Sequence, residues 1–373
     1  MSLIDQIAEA LTSVKDPELH RSITELGMVE DLNEVEGDVS IEVLLTISGC
    51  PMQDRLRSDV TNAISAVPGV KSVNLRFGVM SQVQRDNVKK IMRGGREKFI
   101  PFAQPESLTR VIGIASGKGG VGKSSVTVNL AVAAAKKGLR VGILDADVYG
   151  HSIPRLMGLM GKRPTAIDQM FIPLESYGVK CVSMEMFKPE RSDAVAYRGP
   201  LLHKVLEQLL SDAYWGDLDL LLIDLPPGTG DLAISLGQLI PTSQILVVTT
   251  PQIAAAEVAE RAGRIAHQIH QQVIGVVENM SDYTDPESGA QVSLFGNGGG
   301  EETAKRLSLL VGSDVELLGK IPFSIELRTG GDVGVPIVIA DPESASAKVL
   351  YEIAEKLIKR SKSLLGVHLG IAT

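Results

Sequence analysis

From Gly117 to Ser125 the chain reads Gly-Lys-Gly-Gly-Val-Gly-Lys-Ser-Ser. The run follows a short apolar stretch, VIGIA at 111–115, and opens a helix-compatible segment, SSVTVNLAVAAAKKG. It satisfies G-x-x-x-x-G-K-[S/T] with Gly117, Gly122, Lys123 and Ser124 in register. The chemistry explains the order of residues. Gly117, Gly119, Gly120 and Gly122 let successive backbone N–H groups, with those of Val121 and Ser125, turn toward one anion, and the helix start adds its positive end. Lys123 can reach terminal phosphates, and the Ser124 hydroxyl can ligate Mg²⁺. A purely structural glycine turn would require neither that lysine nor that hydroxyl. Few motifs restrict a fold more, because this one works only where a parallel strand passes through a tight loop into a helix.

The rest of the second half fits that context. RVGILDA (140–146), DLLLID (219–224), QILVVTT (244–250) and VIGVVEN (273–279) are short Val/Ile/Leu runs separated in part by amphipathic helices. Near-continuous apolar strands suit a parallel sheet covered on both faces, and the alternation implies an α/β, doubly wound, mainly parallel sheet. Asp145 and Asp147 stand at the end of the first of these strands, and Asp224 ends the second. Open parallel sheets present their ligands at those carboxyl ends.

The first part has another rhythm: a helix near Leu3–Val14, strands at Met28–Val35 and Val39–Ile47 around a Gly37-Asp38 turn, a helix to Val67, and a third strand in VKSVNLRFGVM. The expected division is a small α+β domain over 1–84, a basic, Gly/Pro-punctuated linker over 85–107 and the nucleotide-binding domain over 108–373. Two domains are the natural expectation for 373 residues. A net charge of −8 and 4% aromatics argue against a phosphate-backbone or base-stacking nucleic-acid binder. The acidic, amphipathic N-terminus is unlike a signal peptide, and no apolar run approaches the ~20 residues of a membrane span. The expectation is a cytoplasmic protein without membrane or nucleic-acid partners; the tail YEIAEKLIKRSKSLLGVHLG is a helix packed on the domain rather than a membrane-surface helix.

Lys118, directly after the first glycine, makes the loop G-K-G-G-x-G-K-S, which resembles the deviant Walker A loop of MinD/ParA-type P-loop ATPases. The resemblance implies that Lys118 reaches a partner chain's nucleotide, so hydrolysis requires a homodimer. It further implies that Asp145 supports the Mg²⁺ shell, Asp147 orients the attacking water, Asp224 is the Walker B carboxylate, the 226–230 segment (PPGTG) senses the γ-phosphate, and Asn279 hydrogen-bonds the adenine edge. DADVYGHSIPRLMG, LIDLPPGTGD, the ENMS segment and FGNGGGEETA narrow the resemblance to the Mrp/ApbC branch, ATP-hydrolysing iron–sulfur cluster carriers. DPELHRSITELGMVEDL and LTISGCPM are similar to the SufT/PaaD-like domain that precedes the ATPase in bacterial members.

That branch carries Cys-Pro-x-Cys-Gly after its Asn-Met pair, and two chains then share a [4Fe–4S] cluster. Here the segment is Asp285-Pro286-Glu287-Ser288-Gly289, so hard oxygen donors replace both thiols. Only Cys50 and Cys181 remain. Cys50, beside a helix start, is the candidate cluster ligand; Cys181, in the apolar run VKCVSM, is expected in the core. His20, His151, His203, His267 and His270 form no metal-spaced set; His151, beside the carboxylates, is a candidate nucleotide contact. Two readings follow: a cluster carrier that loads apoproteins or works with assembly proteins, or a cluster-free ATP-dependent dimerising switch that recruits a protein partner. Small-molecule kinase chemistry finds no lid or second basic substrate site.

Overall fold

The computed structural model describes residues 2–47, 52–147, 150, 152–187, 199–228, 231–285 and 287–359. They form two compact units, one of Met1–Phe99 with Thr165–Ile172, the other of Ile100–Pro164 with Pro173–Thr373.

In the first unit α1 (Leu3–Thr12) starts at a reciprocal cap: Ser2 Oγ accepts from the Asp5 N–H, and the Asp5 carboxylate accepts from the Ser2 N–H. Its Ile7 and Leu11 are fully buried. β1 (Val29–Val35) and β2 (Asp38–Leu45) pair antiparallel through Glu36 and Gly37, so the turn lies one residue earlier than the Gly37-Asp38 pair suggested. After α2 (Gln53–Ser65), β3 (Ser72–Val79) returns parallel to β2. α3 (Gln82–Met92) follows, capped by Ser81 and Gln84, with Val88 and Met92 buried. Much of the expected 85–107 linker is therefore ordered in this unit. At its other end, Phe102 packs edge-on against Trp215 within the second unit, ring centroids 6.0 Å apart.

The second unit begins with β4 (Arg110–Ala115), α4 (Lys123–Lys136), β5 (Val141–Asp145) and the short α5 (Ile153–Leu156). The chain then lends the antiparallel pair β6 (Ala166–Ile167) and β7 (Met170–Phe171) to the first unit. It resumes with β8 (Leu174–Ser176), β9 (Val179–Ser183), α6 (Gly199–Ser211), β10 (Leu220–Asp224), α7 (Asp231–Leu239), β11 (Gln244–Thr249), α8 (Ile253–Gln268) and β12 (Gln272–Ser281). The hairpin β13 (Tyr283–Thr284) and β14 (Gln291–Val292), α9 (Gly299–Val311), β15 (Leu317–Pro322), α10 (Ile325–Val333), α11 (Ile337–Ala340) and α12 (Ala345–Lys359) complete it.

Eight strands make one sheet in the order β15-β12-β11-β4-β10-β5-β9-β8. All neighbours run parallel except the edge strand β8. Every residue of β5, β10 and β11 is buried, as two covered faces require. The doubly wound expectation holds. β9 and β15 escaped the sequence reading because Lys180, Gly319, Lys320 and Pro322 interrupt their apolar runs. The described part of the tail is α12, whose Ala347, Leu350, Ile353, Ala354 and Leu357 join the core. No helix among the described residues is long and apolar enough to cross a membrane.

Candidate nucleotide site

The loop between β4 and α4 lies at the carboxyl ends of the central strands. Gly122, with φ +78°, caps α4 without a side-chain hydrogen bond, so the first N–H groups of that helix have no side-chain acceptor. A Cβ on Gly122 would come within 2.2 Å of the Asn279 amide nitrogen. A Cβ on Gly117 would meet the Val258 and Ala259 backbone of α8 at 2.4–2.5 Å. Those two glycines are fixed by close approach, while a Cβ on Gly119 would make only an ordinary contact with Pro227 at 3.9 Å and one on Gly120 would meet none of the described residues within 4 Å.

Below the loop the charged groups converge. Lys123 Nζ lies 2.7 Å from Asp224 Oδ1, with the lysine 6% and the aspartate 0% exposed. The Ser124 hydroxyl donates to Asp224 Oδ2 at 2.6 Å, and Thr127 donates to Oδ1 at 2.9 Å. Asp145 is the cross-strand partner of Asp224 between β5 and β10. Burial, and then the neighbouring Asp224 charge, hold the Asp145 carboxyl well above its ordinary range; Ser183, donating at 3.0 Å, opposes this. Asp147 is nearly buried: its N–H donates to Asp145 Oδ1 at 3.2 Å and its Oδ1 accepts from the Gly150 N–H at 2.9 Å. Two buried carboxylates facing one lysine form an oxygen-rich, electron-rich centre suited to a hard divalent cation.

Lys118 Nζ donates to Gln252 Oε1 at 2.7 Å within the same chain. The Asn279 amide donates to the Val121 carbonyl at 2.9 Å, holding the loop from below. Gly122, Ser125, Arg155, Asn279, Met280 and Phe323 are among the residues lining an adjoining cavity of about 260 Å³. The Gly228 N–H donates to the Ser116 carbonyl at 2.9 Å, tying the segment after β10 to the loop. Thr229, Gly230, His151 and Cys50 lie outside the described residues. Thr127, Ser183 and Gln252 were missed in sequence. Thr127 was findable, one turn after Lys123 on the same helix; the other two depend on strand order and loop packing.

Two family models match the chain. Residues 107–358 match the model of the NUBPL iron-transfer P-loop NTPase, and residues 4–75 match that of an iron-sulfur cluster assembly protein. The chain belongs to the NUBPL iron-transfer P-loop NTPase family. It is 54% identical over 367 residues to the "Iron-sulfur cluster carrier protein" of Mycobacterium tuberculosis, covering 98% of this chain and 96% of that one. The protein of the same name from Deinococcus radiodurans is 41% identical over 355 residues, covering 95% and 94%. A solved nucleotide-binding protein from Archaeoglobus fulgidus in complex with ADP is 34% identical with TM-score 0.53, covering 65% of this chain and 95% of that one.

Against that family relationship, the thiol positions matter. Asp285 Oδ1 accepts from the Ser288 N–H at 2.7 Å, the Ser288 hydroxyl at 2.8 Å and the Glu287 N–H at 3.0 Å. The Ser288 backbone bond is the main cause of an Asp285 carboxyl held below the usual carboxylate range. Asp285 and Ser288 thus close the turn between β13 and β14, and these oxygen donors do not fit an iron–sulfur cluster. Cys181 lies fully buried in β9, where burial pushes its thiol far up. Among the described residues no group of three or more His, Cys, Asp or Glu side chains could hold a metal ion.

Proposed function

We propose that this P-loop NTPase is an ATP-hydrolysing carrier that holds an iron–sulfur cluster and loads it onto apoproteins, working as a homodimer in the cytoplasm. The observation that carries the nucleotide half is the convergence of Lys123, Ser124 and Thr127 on the buried Asp224 beneath an open glycine loop. The cargo half rests on the family and on relatives named cluster carriers over nearly the whole chain.

In this reading the N–H groups of Gly117–Ser125 bind the phosphates of ATP and Lys123 balances their charge. Ser124, Asp145 and Asp224 hold Mg²⁺ directly or through water. When bound, Mg²⁺ neutralises developing phosphate charge. Asp147 orients the attacking water, and Asn279 faces the base while bracing the loop at Val121. Lys118 leaves Gln252 to complete the partner's site. Lys118→Ala is then expected to keep ADP affinity within about twofold while hydrolysis falls on the order of 10²–10³-fold, the scale of one lost charge-stabilising donor. Unchanged turnover would remove Lys118 from the mechanism.

Cys50 is the thiol left for the cargo, with each chain of the dimer supplying one. Anaerobic reconstitution with iron and sulfide, with and without ATP, tests this. Wild type is expected to take up a cluster, and Cys50→Ala to lose it. Because the family's cysteine pair has become the Asp285–Ser288 turn, the second reading, a cluster-free ATP-dependent switch, keeps a specific observation in its favour. ATP hydrolysis without cluster uptake under any condition would select it.

A further inference from the structure

Near its end β12 holds a non-glycine residue in the left-handed region: Met280, with φ +60°. That conformation is uncommon outside glycine, asparagine and aspartate, and a long side chain adopts it at a cost. The pairing register shows what the residue does to the strand. Asn279 pairs with Ile321 and Ser281 with Pro322, so two steps along β12 match one along β15. Met280 is the extra residue of a bulge. In a regular strand Asn279 and Met280 would point to opposite faces. Here both line the cavity of about 260 Å³ beside the glycine loop.

Several contacts hold the bulge in place. The Ser281 hydroxyl reaches back across Met280 and donates to Glu278 Oε1 at 2.8 Å. Glu278 Oε2 accepts from the Gly300 N–H of α9 at 2.7 Å, and the Phe323 N–H donates to the Ser281 carbonyl at 3.2 Å. Glu278 is 2% exposed and Ser281 8%, so water does not compete for these bonds. A strained backbone persists only where its surroundings over-determine it, and such strain clusters at binding sites. The thioether owes its position to this geometry. A Cβ on Gly122 would lie 3.5 Å from Met280 Cε, so the methyl stands beside the glycine that caps α4. Leu156, Phe323 and Leu327 continue the apolar lining.

We propose that Met280 is a specificity-determining contact for the nucleoside half of the bound nucleotide, which rests on the glycine loop holding ATP. The loop's N–H groups recognise the charge of the phosphates. The uncharged half then needs an apolar surface next to Gly122, and the bulge supplies it. A thioether is unbranched, polarisable and favourable against an aromatic ring, so it suits the face of a base. The same bulge keeps Asn279 on the Val121 carbonyl, so one local distortion serves loop and ligand together.

Two substitutions separate side chain from backbone. Met280→Leu keeps both the left-handed strain and the apolar bulk, whereas Met280→Asn suits the left-handed region and removes the apolar contact. Calorimetric titration of the full chain with ADP and, separately, with inorganic pyrophosphate reads the two halves of the ligand. Met280→Asn is expected to bind ADP about tenfold more weakly, the affinity of roughly two buried methylenes, with pyrophosphate affinity unchanged. Met280→Leu is expected to stay within about twofold of wild type for both, as a volume-conserving apolar swap. A loss of ADP affinity in Met280→Leu but not in Met280→Asn would assign the effect to the backbone and overturn the contact. An equal fall for ADP and pyrophosphate in Met280→Asn, or no fall for either, would overturn it as well. Wild type that binds pyrophosphate but not ADP would remove the nucleotide reading itself, and the Met280 assignment with it, before any variant is compared.

Discussion

Lys123→Met is expected to lower ATP hydrolysis on the order of 10³-fold, the scale for removing one preorganised charge-stabilising group. It is also expected to destabilise the fold by about 3–5 kcal/mol, the usual consequence of leaving one member of a buried ion pair uncompensated. The structure gives the reason: Asp224 is fully buried on a central strand, and Lys123 is the cation within ion-pair distance of it among the described residues. Ser124 and Thr127 still donate to the carboxylate, but hydroxyl donors do not neutralise it. Urea unfolding of Lys123→Met, Asp224→Asn and the double variant separates the two effects. The double variant should be more stable than Lys123→Met alone, because the unpaired charge is gone, while remaining inactive. A stability loss under about 1 kcal/mol in Lys123→Met would show that this buried pair does not hold the fold together.

Gly122→Ala is expected to weaken ADP binding about 100-fold while the sheet stays folded. Two physical effects add. A non-glycine residue in the left-handed region costs roughly 1–2 kcal/mol. The new methyl would also sit 2.2 Å from the Asn279 nitrogen and displace it from the Val121 carbonyl, a bond contributing about 0.5–1.5 kcal/mol. Together they amount to about two tenfold steps in affinity if the loop distorts to absorb them. Adding Asn279→Ala removes the overlap but also the bond to the Val121 carbonyl and the proposed contact with the base, so affinity should not return to the wild-type value. ADP titration of wild type, Gly122→Ala and the double variant measures this. Equal affinity in Gly122→Ala and wild type would mean that the loop's left-handed turn is not the binding conformation.

Much of the site could be read in sequence because its chemistry is local. Gly117 to Ser125 is one contiguous run between a strand and a helix, so composition and spacing alone place Lys123 and Ser124. Asp145 and Asp224 end apolar strands, and parallel strand ends converge in any doubly wound sheet. The interruptions in β9 and β15 hid two strands, and with β9 went Ser183, the hydroxyl on Asp145. Gln252 gave no signal, since its partnership with Lys118 spans 134 residues of sequence.

The division into units shows the same boundary. Pro/Gly punctuation and charge between 85 and 107 suggested a connection, because local polarity resembles that of a solvated link. The structure instead places a capped α3 there, with Val88 and Met92 buried in the first unit. No local pattern announces that Thr165–Ile172, embedded in the later half of the chain, belongs to that unit. It does so through Thr165 donating to Glu18 at 2.6 Å and Asp168 accepting from Gln82 and Lys89.

By itself, the sequence determined the parallel α/β architecture, the phosphate loop and the carboxylates around it, since backbone turning, strand burial and helix starts depend on residues near one another in the chain. Tertiary structure alone decided which carboxylate meets Lys123, that Asn279 braces the Val121 carbonyl, that Asp285 and Ser288 close a turn, and that a distant hairpin joins the first unit. Those pairings are set by packing between segments far apart in sequence, where spacing carries no record of distance.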